Sequence, residues 1–518
     1  MYIKKLKAKH FKKYKNLEVD FNENINLLIG ENESGKSTIL QAIDLLLSGS
    51  RNKVETIGLE YLFNKNVIKD FFNNKKYENL PKLEIEIFFD NVDDDSYWGK
   101  NNSLNTNLFG ISLICKPNED LSKEIKDILE QEEDNFPFEF YNINFYKFGG
   151  NPYMGFTRKF KHILLDHSNI NNDYATNQYI KTLYSASVNT TNKQIQSNEY
   201  RKLKKQFKDL ILIDINKNVP EKKYEFSLKS HSKSSLENDL TIVENEIDII
   251  HRGKGRQCFI KTEYALSKNE NELDFILLEE PENHLSHLNM HLLIDRINLS
   301  KNKQLFITTH NNLISSRLDL RNAIFVNSSD INIDLSNLTN ETANFFIKAP
   351  NKNLLEFILS KKVALVEGDA EFILLENFFE RIYKNKPYNF GINIISVGGT
   401  SFKRYLEISN LLKIKTAVIR DNDKDYQKNC VNNYVEFLSE FSQIFFEKDN
   451  EINTFEISLY SLNKDLCDEA FSPKLRTRTV QEYMLSEKTE AAYSLLLKDS
   501  EIIIPEYIKS AFEWLIKD

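Results

Sequence analysis

Gly30 to Ser37 reads GENESGKS, a GxxxxGK[ST] spacing set between a predicted strand, INLLIG, and a predicted helix, STILQAIDLLLSG. Glycines in such a loop let the backbone curl so that its N–H groups point inward at phosphate oxygens. Lys36 then reaches the outer phosphates, and the Ser37 hydroxyl is placed for Mg2+. Gly30, Asn32, Gly35, Lys36, Ser37 and Thr38 are the candidate nucleotide contacts. A metal there needs an acid, and FILLEEPENHL supplies Glu279 and Glu280 straight after an apolar run. The first is expected to support Mg2+ and the second to orient the attacking water. Glutamate at the first position reaches further than the usual aspartate. The same pair also reads as a solvated acidic turn before Pro281. QLFITTH puts His310 at the tip of another predicted strand, where an imidazole is expected to sense the terminal phosphate. HRGKGRQ, residues 251–257, suits either a helix N-terminus that caps the nucleotide of a second subunit or a plain basic loop.

A second constellation lies near the other end. VALVEGDAEF runs four apolar residues into Glu367, Asp369 and Glu371, and AVIRDNDKD runs another apolar strand into Asp421 and Asp423. Acids in a first helical turn suit the helix dipole, so one such strand end decides nothing. Two in one small α/β region point further. Asp421 and Asp423, two residues apart, are expected to face the same side of an extended chain. With Glu367 and Glu371 they would converge on one or two hard cations. Two divalent ions about 3.5–4 Å apart are a standard device for phosphodiester cleavage, one activating the water and the other stabilising the leaving oxygen.

The elements that must position these residues are read from periodicity. MYIKKLKAKHFKKYKNLEVDF alternates as strands, LEIEIFFD (83–90) and LFGISLICK (108–116) continue them, and DFILLEE, QLFITTH and AIFVN return to short apolar strands. The alternation with helices predicts a mostly parallel sheet. Between 118 and 245 the pattern loosens into helical segments such as LSKEIKDILEQ, with no sustained heptad, which predicts a compact helical insertion. A polar stretch at 328–350 ending in Pro350 marks a boundary. KKVALVEG, GINIISVGG and KTAVIRDND then form a smaller α/β domain whose remainder is largely helical. The divisions are 1–117 and 246–350 for one interrupted α/β domain, 118–245 for the insertion and 351–518 for the second domain.

Bulk properties bound the class. At 518 residues, 41% hydrophobic and 28% charged, the chain is of globular composition and exceeds one usual core. Four cysteines form no CxxC pair, so no zinc ribbon or disulfide framework is indicated. No apolar run reaches the ~20 residues of a membrane span and the first residues lack a signal core, so no membrane partner and a cytoplasmic location are expected. A net charge of −8 argues against indiscriminate coating of nucleic acid. Local basic clusters (KKLKAKHFKKYK, YRKLKKQFK at 200–208, KLRTR at 474–478) permit phosphate contacts.

In this order the pieces resemble the ATP-binding-cassette ATPases of the DNA-repair kind, with a RecF/SMC-like head. The carriers are KLKAKHFKKYKNLEVDFNENINLLIGENESGKSTILQAI and EEPENHLSHL. HRGKGRQ departs from the Ser-Gly-Gly signature of transporter cassettes, and no glutamine loop is visible. EG...GG...DND, with Gly398 and Gly399 in ISVGGTSFKRY, resembles the topoisomerase-primase (Toprim) metal-binding domain. A cassette ATPase followed by such a domain looks like the overcoming-lysogenization-defect (OLD) nucleases, and EGDAE is similar to the branch containing the Gabija nuclease subunit.

The resemblance implies an α/β chain with an ABC-type ATPase, a helical dimerisation insertion and a C-terminal Toprim domain with a helical tail. It implies ATP and Mg2+ or Mn2+ as cofactors, DNA as substrate, and a homodimer or homotetramer. A UvrD-like helicase, or a reverse transcriptase with its msDNA, is the implied partner. By the same resemblance Glu456 of TFEISLY joins the metal-binding acids Glu367, Glu371, Asp421 and Asp423, and Lys488 neutralises charge on the reacting phosphate. By type alone Glu456 reads as a strand-face acid and Lys488 as a surface helix lysine. The closing helix, IPEYIKSAFEWL, reads as amphipathic packing. A nucleotide-gated repair ATPase with a non-cleaving Toprim domain is the alternative. A topoisomerase would need a nucleophilic tyrosine, and none of the 23 has recognisable surroundings for one.

Overall fold

The computed structural model describes residues 1–517 except 131–134, 156–158, 167–172, 218–224, 230–234, 268–272, 301, 327–331, 350–352, 400, 473–476 and 499–501. The chain divides into two compact units, Met1–Thr309 with Ile324–Asn332, and His310–Ala323 with Ile333–Asp518. Pro350, and residues 474–476 of the third basic cluster, lie outside the described residues.

In the first unit an antiparallel sheet runs in the order Tyr14–Asp20, Ile3–Phe11, Leu83–Phe89, Leu108–Pro117, with Tyr141–Lys147 also on the last of these. Its first strand buries Ile3, Leu6, Ala8 and Phe11 while the lysines between them face out, the pattern of a sheet with one wet face. A parallel sheet runs His162–Asp166, Phe275–Glu279, Gln304–Thr308, Ile25–Ile29. Its strands are mostly apolar, the pattern of a sheet buried on both faces, and FILLE is buried from Phe275 to Leu278. The helix Lys36–Ser48 packs Ile39, Leu40, Ile43, Leu46 and Leu47 into the core and ends at Gly49.

The segment 118–245 differs from its helical reading. Tyr141–Lys147 and His162–Asp166 are strands, and the second pairs in register with Phe275–Glu279, Asp166 opposite Glu279. A three-residue apolar run such as HILLD carries too little periodicity to distinguish strand from helix. LSKEIKDILEQ is helical as read, over Ser122–Glu130; after the two strands helices resume at Asp173–Ser187 and continue as Thr190–Leu210, Leu212–Lys217 and Leu236–Asp239.

The second unit holds a parallel sheet in the order Ile392–Ser396, Lys362–Val366, Lys415–Ile419, Ser442–Phe445. The fourth strand lies in a stretch read as helical. The chain leaves Lys362–Val366 to one side and returns to its other side at Lys415–Ile419. Connections after those two strands therefore diverge, which opens a crevice at their carboxyl ends. Glu367 and Asp421 stand at those ends. The helix Phe455–Leu462 begins where TFEISLY was expected to be a strand. Thr454 caps it by accepting the Ile457 N–H at 3.3 Å, a local bond that outweighs the two-residue alternation of so short a run.

Candidate functional site

The phosphate loop is closed from behind by the first hairpin. Gly35 sits at φ +108°, and a Cβ there would lie 2.1 Å from the Tyr14 hydroxyl oxygen. That hydroxyl donates to the Ser34 carbonyl at 3.0 Å, and Lys13 Nζ donates to the Glu33 carbonyl at 2.8 Å. Gly35→Ala is therefore expected to lose about 1–3 kcal/mol of stability through backbone strain alone, with a parallel loss of ATP binding. Thermal unfolding and nucleotide titration of the same preparation check this.

Lys36 is buried and curls back over the loop, donating to the carbonyls of Gly30 at 2.9 Å and Glu31 at 2.8 Å. Burial pulls its ammonium down to about 8, against the upward pull of Glu280, Glu282 and Glu279. The Ser37 hydroxyl hydrogen-bonds the Glu279 carboxylate. The structure thus joins the two groups expected at the nucleotide metal. Burial, and after it Asp166 and Glu280, push Glu279 up, while Ser37 and Lys12 oppose the shift. Glu280 turns at φ +45°, its N–H on the Thr308 carbonyl at 3.1 Å and its carboxylate accepting Asn283 Nδ2 at 2.9 Å. Asn32 and Ser37 are exposed and Thr38 is half-buried. His310 belongs to the second unit.

Sequence reading missed Asp166, Lys12 and Lys13 here. HILLD ends in an acid just as FILLE does, and that parallel was the available signal. HRGKGRQ forms the entry to the helix Lys254–Ser267, and its Arg252 and Arg256 both engage Glu244.

In the second unit the acids from four segments act on one another. Glu367 ends its strand, with its carbonyl accepting the Gly399 N–H at 3.0 Å. Gly399 reaches it at φ +114°, a conformation the glycine turn supplies. The Glu367 Oε2 atom is buried without a hydrogen-bond partner. Burial, and then Asp423, raise its carboxyl above the ordinary range. Glu371 lies one turn into the helix Asp369–Tyr383 and is itself buried. Burial, with Glu456 and Glu367 beside it, pushes it up to about 7. Asp421 accepts the Phe455 N–H at 2.8 Å. Burial, then Glu371, Glu456 and Glu367, push it up to about 8. Glu456 is buried, and Lys488 Nζ stands 3.0 Å from its carboxylate. Burial works against charge on Lys488, but Glu456, and after it Asp421 and Glu371, hold it above its ordinary range.

Asp423 departs from expectation. The chain does not stay extended: Asp423 and Lys424 take φ of 50° and 70°. Buried Asn422 drives the turn, donating through Nδ2 to the carbonyls of Glu447 and Asp449, both at 2.9 Å. Asp421 is drawn inward, whereas the Asp423 side chain is 51% exposed and lies 3.4 Å from Arg420. The two aspartates therefore meet the cluster from different environments. The closing helix Glu506–Ile516 does more than pack, because it brings buried Tyr507 within electrostatic reach of Asp421 and Glu371. Among the described residues no three His, Cys, Asp or Glu side chains stand placed to hold a metal ion without moving.

Acids raised in the fold bind more protons there than in the unfolded chain between about pH 4 and pH 8. Stability therefore falls as pH rises through that window, by up to about 1.4 kcal/mol for each tenfold gain in an acid's proton affinity on folding. The metal-free chain is expected to melt roughly several degrees lower at pH 9 than at pH 6. A flat melting profile in chelator-treated protein would contradict this.

Family models agree with this division. The AAA ATPase domain model matches residues 1–314, and the model described as overcoming lysogenization defect protein-like, TOPRIM domain, matches 358–423. The chain belongs to the AAA ATPase domain family and joins to it an OLD-like TOPRIM domain. Endonuclease GajA of Bacillus cereus (strain HuB5-5) is 22% identical over 520 residues, covering 82% of this chain and 74% of that protein. The DNA replication and repair protein RecF of Clostridium kluyveri is 35% identical over 102 residues, or 16% of this chain. The match spans only 28% of that RecF. The C-terminal region of the Xanthomonas campestris pv. campestris OLD protein is a solved structure 24% identical to this chain, with a TM-score of 0.24. It covers 30% of this chain and 92% of that one. An ATPase domain joined to a TOPRIM domain implies use of a nucleotide and a divalent cation. Among the described residues no helix is long and apolar enough to cross a membrane.

Proposed function

We propose that this protein is an ATP-responsive, divalent-metal-dependent DNA endonuclease or nickase serving anti-phage defence. The observation that carries the proposal is the carboxylate cluster, in which Asp421 is pushed to about 8 and Glu371 to about 7 while Lys488 is the cation paired within it. Five acids, Glu367, Glu371, Asp421, Asp423 and Glu456, stand with two cations, Lys488 and Arg420, which leaves a deficit of positive charge. The Glu367 Oε2 atom, buried and unpartnered, is a vacant hard donor of the kind Mg2+ or Mn2+ prefers. The residues fit such an ion in kind, with the side chains closing on it as it binds. Glu367 and Asp421 would hold it, with Glu371, Glu456 and Asp423 assisting. A bound divalent ion supplies Lewis acidity for the water and the leaving oxygen of a phosphodiester. Glu371, raised to about 7 in the metal-free chain, is positioned to exchange a proton, and Lys488 to balance charge on the reacting phosphate.

In the first unit Lys36 would exchange its two loop carbonyls for nucleotide phosphates. Ser37 and Glu279 would support the nucleotide metal, and Glu280 would orient water. A homodimer or homotetramer draws support from Leu203, Phe207 and Leu210, which are exposed at helical spacing on Thr190–Leu210. The likeness to the Gabija branch and to OLD proteins extends the reading to a UvrD-like helicase, or a reverse transcriptase with msDNA, as partner. Nicking of supercoiled plasmid with Mg2+ or Mn2+, with and without ATP, tests the function. Cleavage that needs the divalent ion supports it. DNA retention gated by nucleotide without any strand scission would favour a repair ATPase instead.

A further inference from the structure

We propose that His287 and His291 chelate Zn2+ on the outer face of the helix His287–Leu299, a site of different chemistry from the carboxylate cluster. Ser286 caps this helix by accepting the Asn289 N–H, so that His287 is its first residue. Positions i and i+4 then share one face. The two Nε2 atoms stand 3.3 Å apart, with ring centroids at 4.8 Å and planes at 87°.

That separation suits a tetrahedral ion. Zn–N bonds of about 2.0–2.1 Å at a tetrahedral angle put neighbouring nitrogens about 3.3–3.4 Å apart. The two nitrogens thus stand the length of one edge of a zinc tetrahedron apart. Without an ion the pair is held by one Nε2–H donating to the other Nε2. With an ion both rings bind through Nε2 as their Nδ1–H tautomers.

His287 is exposed and His291 half-buried, so the ion enters from solvent. Among the described residues no third His, Cys, Asp or Glu completes the site, so water fills the remaining positions. Imidazole selects zinc over the hard Mg2+ that suits carboxylates. The consequence is local: an ion bridging i and i+4 staples the first turn of the helix that follows the Glu279–Glu280 turn. The inference does not rest on the nuclease reading.

The test is calorimetric titration of the untagged full chain with Zn2+ in excess Mg2+, beside His287→Ala, His291→Ala and the double variant. One equivalent of Zn2+ is expected for the wild type, with affinity lower by on the order of tenfold or more in each single variant. Co2+ substituted for Zn2+ is expected to give the intense visible absorption of tetrahedral coordination. Equal binding by the double variant, or a Co2+ spectrum that is only octahedral, would overturn the site. Circular dichroism confirms that each variant is folded.

Discussion

Asp421→Asn is expected to lower plasmid nicking about a thousandfold or more, the equivalent of some 4 kcal/mol of lost transition-state stabilisation. The change is nearly isosteric, and Asn Oδ1 can still accept the Phe455 N–H that Asp421 accepts at 2.8 Å. What it removes is the charge that Glu371, Glu456 and Glu367 oppose. The variant should therefore melt higher than the wild type at pH 9, in the absence of metal, with the gain shrinking as pH falls and vanishing only below about pH 4, where Asp421 is protonated in the folded and unfolded chain alike. Loss of cleavage together with this gain in stability separates a catalytic role from mere unfolding. A variant that nicks normally, or that loses activity only because it melts lower at every pH, would contradict the assignment.

Lys36→Ala is expected to weaken ATP binding by about 100-fold or more, because a buried charge paired with the phosphates is lost, a change typically worth about 3–5 kcal/mol. Lys36 is desolvated before nucleotide arrives, held at about 8 with its protons on the Gly30 and Glu31 carbonyls. It is poised to surrender two neutral acceptors for charged ones. Titration with a fluorescent ATP analogue measures the loss. In the nicking assay the variant's rate should become independent of ATP, whichever direction ATP moves the wild type. Unchanged ATP affinity would contradict the role of the loop.

What the sequence disclosed follows from where the physics is local. The phosphate loop was legible because its glycines and lysine act within eight residues, between a strand and a helix whose periodicities are strong. Glu367 and Asp421 were legible because acids rarely end two buried apolar runs by accident. Register and turn chemistry were not legible. Asp423 reads as the partner of Asp421 only if the chain stays extended, and the buried Asn422 amide, anchored to carbonyls some 25 residues away, turns it instead. Glu456 reads as a strand residue because TFEISLY alternates over too few positions to reveal the Thr454 cap. The strand His162–Asp166 hides in a helical stretch because its partner lies over a hundred residues on. Tyr507 looks like packing until the fold sets it beside Asp421.

Nuclease chemistry in this chain requires that carboxylates from separate segments of the second unit bind a divalent cation. Titrating the nucleotide-free chain with Mn2+ while following the electron paramagnetic resonance signal of free ion tests that requirement. Wild-type protein is expected to take up Mn2+ and to release protons near neutral pH as Asp421 and Glu371 ionise. Both responses should be lost in the Glu367→Gln, Asp421→Asn double variant. Equal Mn2+ uptake by the wild type and the variant, or none by the wild type, would contradict the cation site.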